Sequence, residues 1–377
     1  MHDYVPLYFC TRSLMLLSVI NAKNIDQMDI LYFEFPISLV GREDAVFSDA
    51  SANTLIPPTF YNDPNYLDKL NWDEIDSLAW KCSSDTLKQQ RAAELLILNN
   101  LNLNTANRCI VWDNDTKSRV EDIVAEAGVY FPKIDLESRH RRHWFFNFQE
   151  GENTSVVRGP REIKMDYEQA CELIERERAK HKRTAPFAYM RDLLEGMHKD
   201  FGCVKHTGEL INLKSENGVH KRTVDIHTQE VVSNLISLAE YKKLGRKQKL
   251  IVELAAYFHD IGKGPRSRWD KNNGIQKVDP NHPVRAMPMM VDILTKYTGS
   301  ISRKSAESLT KLVCYHDLVG DVLGRGRDKQ QIVDIINDQD ELDMLFALGR
   351  ADVTALVEHW WDDDQATQLY DWCLAEM

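Results

Sequence analysis

From about Val224 almost to the end of the chain, apolar residues recur at intervals of three and four, and strand signals nearly vanish. Val232, Leu235 and Ala239 make one stripe. Leu250, Leu254, Ala255 and Phe258 make a second, Leu309, Leu312, Val313 and His316 a third, and Leu342, Leu345, Leu348 and Asp352 a fourth. Such spacing keeps side chains on one face of an α-helix, so this part is predicted to be all-helical. At about 150 residues it is large enough for a core of its own. His227, the adjacent pair His259-Asp260, and Asp352 sit on or beside these stripes. A polar group on a core stripe is costly unless something satisfies it. Each residue alone is commonplace, but a metal ion satisfies the whole set. Two imidazoles with two carboxylates suit moderately hard divalent ions: Mn²⁺, Mg²⁺, Fe²⁺, Co²⁺ or Ni²⁺. Neighbouring helical residues point about 100° apart, so His259 and Asp260 reach one ion most easily at a helix end. Gly262, Gly264 and Pro265 supply that end.

The pieces Asp225-Ile-His-Thr228, Ala256-Tyr-Phe-His-Asp-Ile-Gly-Lys-Gly264 and Arg350-Ala-Asp-Val353 make residues 224–356 resemble the HD superfamily of metal-dependent phosphohydrolases. The His-Asp-Ile-Gly-Lys-Gly text looks especially like the HD domains of bacterial tRNA nucleotidyltransferases and HD-GYP phosphodiesterases. The resemblance implies an all-α HD-type fold and hydrolysis of a phosphate ester or anhydride. It assigns His227, His259, Asp260 and Asp352 as metal ligands. Asn281-His-Pro283 and Tyr315-His-Asp317 fall where two-metal members place extra histidines. His282, His316 and Asp317 are therefore candidates for a second ion, bridged to the first by Asp260, or for binding substrate phosphate. No Gly-Tyr-Pro follows His316-Asp317, which speaks against a cyclic-di-GMP role. Asp260 and Lys263 are the expected catalytic residues, Lys263 as the first-choice cation for a phosphate oxygen. Arg266, Arg268 and Arg350 stand behind it.

The first part of the chain has a mixed pattern and is predicted as α+β. Asp29–Val40, Cys109–Trp112 and Trp144–Phe148 read as strands, and Asp85–Leu98 as a helix after an Asp cap. Residues 151–165 read as a linker, and Tyr167–Lys182 as a charged, solvent-exposed or bridging helix. The expected division is 1–150, then 151–205 as linker and charged helix, then 206–377 as the HD-type domain.

Tyr4-Val-Pro-Leu-Tyr-Phe-Cys-Thr-Arg-Ser-Leu-Met-Leu16, Phe47-Ser-Asp-Ala50, Phe60-Tyr-Asn-Asp63, Leu67-Asp-Lys-Leu-Asn-Trp72 and Arg91-Ala-Ala-Glu-Leu-Leu96 come in the order seen in another family. Residues 4–148 resemble the DarT family, the DNA-thymidine ADP-ribosyltransferases. The resemblance implies that Arg12 grips the NAD pyrophosphate, a planar guanidinium suiting that group. Glu94 would orient the ribose and activate the acceptor, a carboxylate being able to take its proton. Met1 falls after the family's first NAD-binding segment, a strand with a His-Thr pair and a glycine-containing helix entry, so that by this resemblance either the chain is truncated at an internal start or the domain has lost its NAD pocket. The expectation is therefore no robust transferase activity, the fold being kept for nucleic-acid or protein recognition. The cluster Arg139-His-Arg-Arg-His-Trp144 mixes cations with an aromatic and is a candidate contact for single-stranded DNA.

The leading expectation is a metal-dependent phosphohydrolase with one or two ions. Its substrate would be a phosphorylated small molecule, a nucleotide or a nucleic acid. The rivals are a NAD-dependent DNA ADP-ribosyltransferase with a regulatory HD domain, and a non-catalytic defence or toxin-related interaction protein. The pairing of the two families suggests phage defence or toxin–antitoxin biology by association. A formal charge of −11 excludes a strongly cationic nucleic-acid coat. No uninterrupted apolar run approaches the roughly 18 residues of a membrane span. Seven cysteines, an odd number with no CxxC pair, argue against a disulfide framework or zinc ribbon and fit a cytoplasmic protein.

Overall fold

The segment Asp85–Leu98, predicted as one helix, is a helix followed by a strand, and the difference carries Glu94 from a helix onto a sheet. The computed structural model describes residues 3–54, 57–79, 82–137, 142–145, 157–181, 185–216, 218 and 222–377. Met1–Asn21 with Ile25–Val157 form one unit, and Ala22–Asn24 with Arg158–Met377 the other.

The first unit holds strands β1 (Tyr4–Tyr8), β2 (Tyr32–Glu34), β3 (Ala45–Ser48), β4 (Phe60–Tyr61), β5 (Glu94–Leu98), β6 (Arg108–Val111) and β7 (Ile134–Leu136). Its helices are α1 (Leu14–Asn21), α2 (Trp72–Ile75), α3 (Asp85–Arg91) and α4 (Asn114–Ala127). One sheet has the order β1-β5-β3-β4 and the other β2-β6-β7. The Ser84 side chain accepts from Leu87 N and starts α3, which ends at Ala92. β5 then lies between β1 and β3, antiparallel to both, and Leu95, Leu96 and Ile97 are all buried. A strand covered on both faces reads as a continuous apolar run, which periodicity alone does not separate from a helix. The predicted strand Asp29–Val40 shrinks to β2, because the chain turns at Pro36 into a 3-10 stretch, Ile37–Gly41. The predicted Cys109–Trp112 strand is β6. Trp144 and Phe145 lie outside any strand yet are fully buried. Residues 139–141 of the basic cluster, 146–148 of that predicted strand and 151–156 of the predicted linker lie outside the described residues.

The second unit is helical: α5 (Pro160–His181), α6 (Met190–Lys199), α7 (Lys205–Gly208), α8 (Val224–Ser237), α9 (Ala239–Lys243), α10 (Arg246–Phe258), α11 (His282–Arg285), α12 (Met287–Asp292), α13 (Arg303–Cys314), α14 (Leu318–Arg325), α15 (Gln330–Ile335), α16 (Gln339–Leu356) and α17 (Asp363–Glu376). Two short parallel pairs interrupt them, β8 (Phe187–Tyr189) with β11 (Thr298–Ser300) and β9 (Lys214–Ser215) with β10 (Ile275–Gln276). Leu254, Phe258, Leu309, Val313, Leu345 and Leu348 share one core, as the helical stripes require. Ala239 departs from its stripe: α8 stops at Ser237 and Ala239 is exposed. The charged helix expected at Tyr167–Lys182, solvent-exposed or bridging, is α5, which begins at Pro160 inside the predicted linker and is half built into the core. Ile163, Ala170 and Ile174 recur at helical spacing among its charges and are buried. No helix among the described residues is long and apolar enough to cross a membrane.

Candidate metal centre

Two groups of side chains meet among the ends of the helices. His227 stands in the first turn of α8 and Asp352 late in α16, with His227 Nε2 3.1 Å from Asp352 Oδ1. His259 follows α10 in helical geometry, φ −55° and ψ −36°. Asp260 leaves the helix at φ −101° and ψ 4°, which re-aims its carboxylate. His282 opens α11 and His316 lies in the turn after α13. One ligand atom each from His227, His259 and Asp352 lie within 4.8 Å of one another, and those from Asp260, His282 and His316 do the same. Asp260 spans both groups. Its Oδ2 is 3.5 Å from His259 Nε2 and 3.9 Å from His227 Nε2, and its Oδ1 is 3.5 Å from His282 Nε2.

The imidazoles are oriented by the backbone. Nδ1 of His259 donates to Ala256 O (2.8 Å), that of His282 to Asp279 O (2.9 Å) and that of His316 to Val313 O (2.9 Å). A carbonyl only accepts, so each neutral ring keeps its proton on Nδ1 and turns an Nε2 lone pair inward. His282 and His316 place those Nε2 atoms 3.1 Å apart. His259 Nε2 is buried without a well-formed hydrogen bond among the described residues. Buried acceptors that face one another cost free energy unless a cation or proton comes between them. Oriented imidazoles with backbone partners and two carboxylates match what a divalent cation needs, so these residues fit such an ion.

Burial and neighbours set the charge of the group. Burial would raise the Asp352 carboxyl, but His227 and His259 hold it well below the usual range. Burial likewise opposes ionisation of Asp260, yet Lys263 and His259 keep it low. Burial pushes the His282 imidazole down to about 3, helped by Lys263 and His316, and lowers that of His316.

Backbone contact brings the two groups together. A Cβ on Gly262 would lie 1.9 Å from His282 O and 2.8 Å from Ala286 N, so only glycine lets the turn after Asp260 touch α11. Lys263 is buried, with Nζ 2.6 Å from Asp260 Oδ2. Asp317 belongs to neither group and is paired with cations: Lys23 Nζ stands 2.6 Å from its carboxylate and Arg327 Nη1 3.5 Å. Of the further cations, Arg350 is held by Glu240 and Asp363 at 2.5 and 2.9 Å. Arg268 is held by Asp279 at 2.8 Å. Arg266 donates its backbone N–H and Nε to Glu209. Sequence reasoning put Arg268 forward as a cation for phosphate but missed its partner Asp279, which lies on no periodic stripe.

In the first unit, Arg12 and Glu94 are both buried. Arg12 donates to Trp144 O at 2.8 Å and to Leu78 O, and its guanidinium lies 4.4 Å from the centre of the Phe145 ring. In this arrangement the guanidinium is engaged with protein carbonyls. Glu94 stands opposite Tyr8 across β1 and β5. Burial pushes the Glu94 carboxyl up, while donation from Ala52 N and the Tyr8 hydroxyl partly offsets it. Tyr8 was not singled out from sequence, because strand pairing, not spacing, brings it to Glu94. Arg91 is fully buried and donates to Ser77 O and Ala79 O at 2.5 and 2.6 Å, which anchors the loop before α3.

Comparison with known proteins agrees with this two-part organisation. Residues 1–146 match the family model of the ssDNA thymidine ADP-ribosyltransferase DarT. Residues 224–345 match the HD domain. The chain thus joins a DarT domain to an HD domain, and Asp352 lies just beyond the matched HD residues. A DNA ADP-ribosyl transferase of Thermus aquaticus is 28% identical over 152 residues, which make up 39% of this chain and 64% of the relative. The chain therefore spans a little under two thirds of that relative's length. Among solved structures, Thermus sp. 2.9 DarT in complex with NAD+ is similar at 21% identity and a TM-score of 0.34, over 38% of this chain and 73% of that one. Thermosipho africanus DarTG in complex with ADP-ribose is similar at 15% identity and a TM-score of 0.32, over 38% of this chain and 36% of that one.

Proposed function

We propose that the helical unit is a metal-dependent phosphohydrolase acting on a nucleotide or nucleic-acid phosphate. The observation that carries the reading is the pair of His/Asp groups spanned by Asp260 within an HD domain. His227, His259, Asp260 and Asp352 would hold one ion, and His282 and His316 a second beside Asp260. A bound divalent ion supplies acidity to water and draws charge from a phosphoryl oxygen. The chain's own part is positional. Nδ1–H bonds to backbone carbonyls fix the imidazoles, burial limits access of bulk water, and the Lys263 ammonium offers positive charge beside Asp260. The test is elemental analysis of the purified chain with a panel of phosphomonoesters, phosphodiesters and nucleotides. A metal-free chain inert on the whole panel, before and after adding Mn²⁺, would overturn the reading.

Lys263→Ala separates substrate binding from metal binding. An ammonium does not ligate a divalent ion, so metal content stays at the wild-type level. Losing a charge-assisted contact of about 1.5–3 kcal/mol lowers kcat/KM roughly ten- to a hundredfold. A loss confined to KM would mark a contact held throughout the reaction, and a fall in kcat one that strengthens as charge builds on phosphorus. An unchanged kcat/KM would reduce Lys263 to a partner of Asp260.

The match of residues 1–146 favours a second reading, NAD-dependent ADP-ribosylation of single-stranded DNA with Glu94 as base and Arg12 as NAD ligand. A cytoplasmic setting and a role in phage defence or toxin–antitoxin biology belong to the same proposal, by association of families. With labelled NAD and single-stranded DNA, the chain as given is expected to transfer no label above background, the Arg12 guanidinium being engaged with main-chain carbonyls. Transfer that disappears in Glu94→Gln would reverse this expectation and make the transferase the leading activity.

A further inference from the structure

His282 reaches Asp260 from a turn that has no helix behind it, so something must hold that turn. The holding group is Asp279, a carboxylate whose side chain is 2% exposed. Its Oδ1 accepts from Asn281 N at 2.9 Å. Its main-chain oxygen accepts from His282 N at 3.2 Å and from His282 Nδ1 at 2.9 Å. Its Oδ2 lies 2.8 Å from Arg268 Nη2 and 2.9 Å from Arg285 Nε. The same residue thus shapes the turn, fixes the imidazole's tautomer and anchors both to two guanidinium groups.

Arg268 carries the connection to the other ligand-bearing turn. Its Nη1 donates to Gly262 O at 3.0 Å and Gly264 O at 3.4 Å, the carbonyls on either side of Lys263. Its guanidinium lies 4.5 Å from the centre of the Trp269 ring, and Trp269 Nε1 donates to Lys263 O at 2.8 Å. A planar fork that stacks on one face and donates from both ends makes these contacts at once, which the point charge of lysine does not. The bare backbone of Gly262 then packs on His282 O.

We propose that Arg268 and Asp279 form a clamp that sets His282 against Asp260 and so assembles the group Asp260, His282 and His316 as a second ion site. Both act as positioning residues, through His282. The proposal rests on the metal-centre reading above. His227 and Asp352 are carried by α8 and α16 and His259 follows α10, and none of the three makes these clamp contacts; Asp260, shared by both groups, is reached only through the turn that follows it. Loss of the clamp therefore separates the two ion sites.

The experiment is a calorimetric Mn²⁺ titration of the metal-free full-length chain, with elemental analysis after gel filtration and a thermal melt of each variant. The wild type takes up two ions. Asp279→Asn keeps the first with an affinity within about a factor of two, because none of these clamp contacts is made directly to His227, His259, Asp352 or the shared Asp260. It binds the second roughly 10- to 100-fold more weakly, the usual loss when an outer partner of a ligating histidine is removed. Arg268→Lys, a milder change that keeps the charge, shows the same selective loss and decides the matter if Asp279→Asn fails to fold. His282→Ala weakens the second ion at least as much, and Asp279→Asn added to it costs little further at that site. Wild-type affinity for both ions in Arg268→Lys and Asp279→Asn would overturn the clamp. Equal weakening of both sites with a lowered melting temperature would do the same, since it marks a merely structural role, as would additive losses in the double variant. A wild type that binds one ion also overturns it, leaving the phosphohydrolase reading in place, whereas one that binds none removes both.

Discussion

Asp260→Asn is expected to empty the proposed metal centre and to abolish the proposed hydrolysis. The substitution keeps the side chain's volume but removes its charge and one of its two acceptor oxygens. Asp260 is the residue that approaches both groups, Oδ2 toward His259 and His227, Oδ1 toward His282. Outer partners of ligating histidines already change metal affinity by about 10- to 100-fold, so a direct ligand shared between groups should exceed that range. The variant also leaves the Lys263 ammonium, 2.6 Å from Oδ2 and buried, without its counter-ion. Breaking a buried pair from one side costs about 3–5 kcal/mol, so the metal-free variant should melt below the metal-free wild type. Bound metal per chain is the decisive measurement. Full retention of metal would remove Asp260 from the ligand set, whatever happened to activity.

Lys311→Met should lower stability nearly as much without touching a ligand. Lys311 Nζ lies 2.6 Å from Glu341 Oε2, with side chains only 6% and 4% exposed. Glu341 also accepts from Ser308 Oγ at 2.7 Å and from Asn337 N and Nδ2 at 3.1 and 3.0 Å. Methionine fills the space of the lysine stem, so packing is largely preserved and the effect is electrostatic. Removing the ammonium strands a buried carboxylate, at about 3–5 kcal/mol. The pair ties α13, whose C-terminal turn leads to His316, to α16, which carries Asp352. Urea unfolding of the metal-free chain measures the loss. Adding Glu341→Gln should restore part of it, because the stranded charge goes. A single-variant loss below about 1 kcal/mol would place the pair among exposed ion pairs in energetic terms.

The helical stripes made the candidate metal centre legible. On a segment where apolar residues recur every three or four positions, a histidine or aspartate on the same face is conspicuous, and the order His227, His259-Asp260, Asp352 is itself informative. Gly262 and Gly264 also announced the helix end that lets His259 and Asp260 act together. The charged text of α5 hid its apolar stripe, because Ile163, Ala170 and Ile174 are outnumbered by lysines, arginines and glutamates. Glu94 was placed on a helix for a related reason: the run Leu95-Leu96-Ile97 is short and wholly apolar, and its geometry follows from β1 and β3, which pair with it from distant sequence.

The sequence by itself determined the mixed character of the first part, the helical character of the second, and which residues are proposed to hold a divalent ion. Each follows from local physics: periodicity, helix-ending glycines, and the cost of polar groups on a core face. Only the tertiary structure decided how those residues are shared out. Asp260 leaves helical geometry at its own φ and ψ and so addresses two groups at once. Lys263 turns its ammonium onto that carboxylate, Asp317 turns to Lys23, and Arg268 reaches Asp279 across two irregular turns. Such contacts join loops with no period, and their partners are chosen by which backbone segments come within a few ångströms, a property of the packed chain and not of any stretch of it.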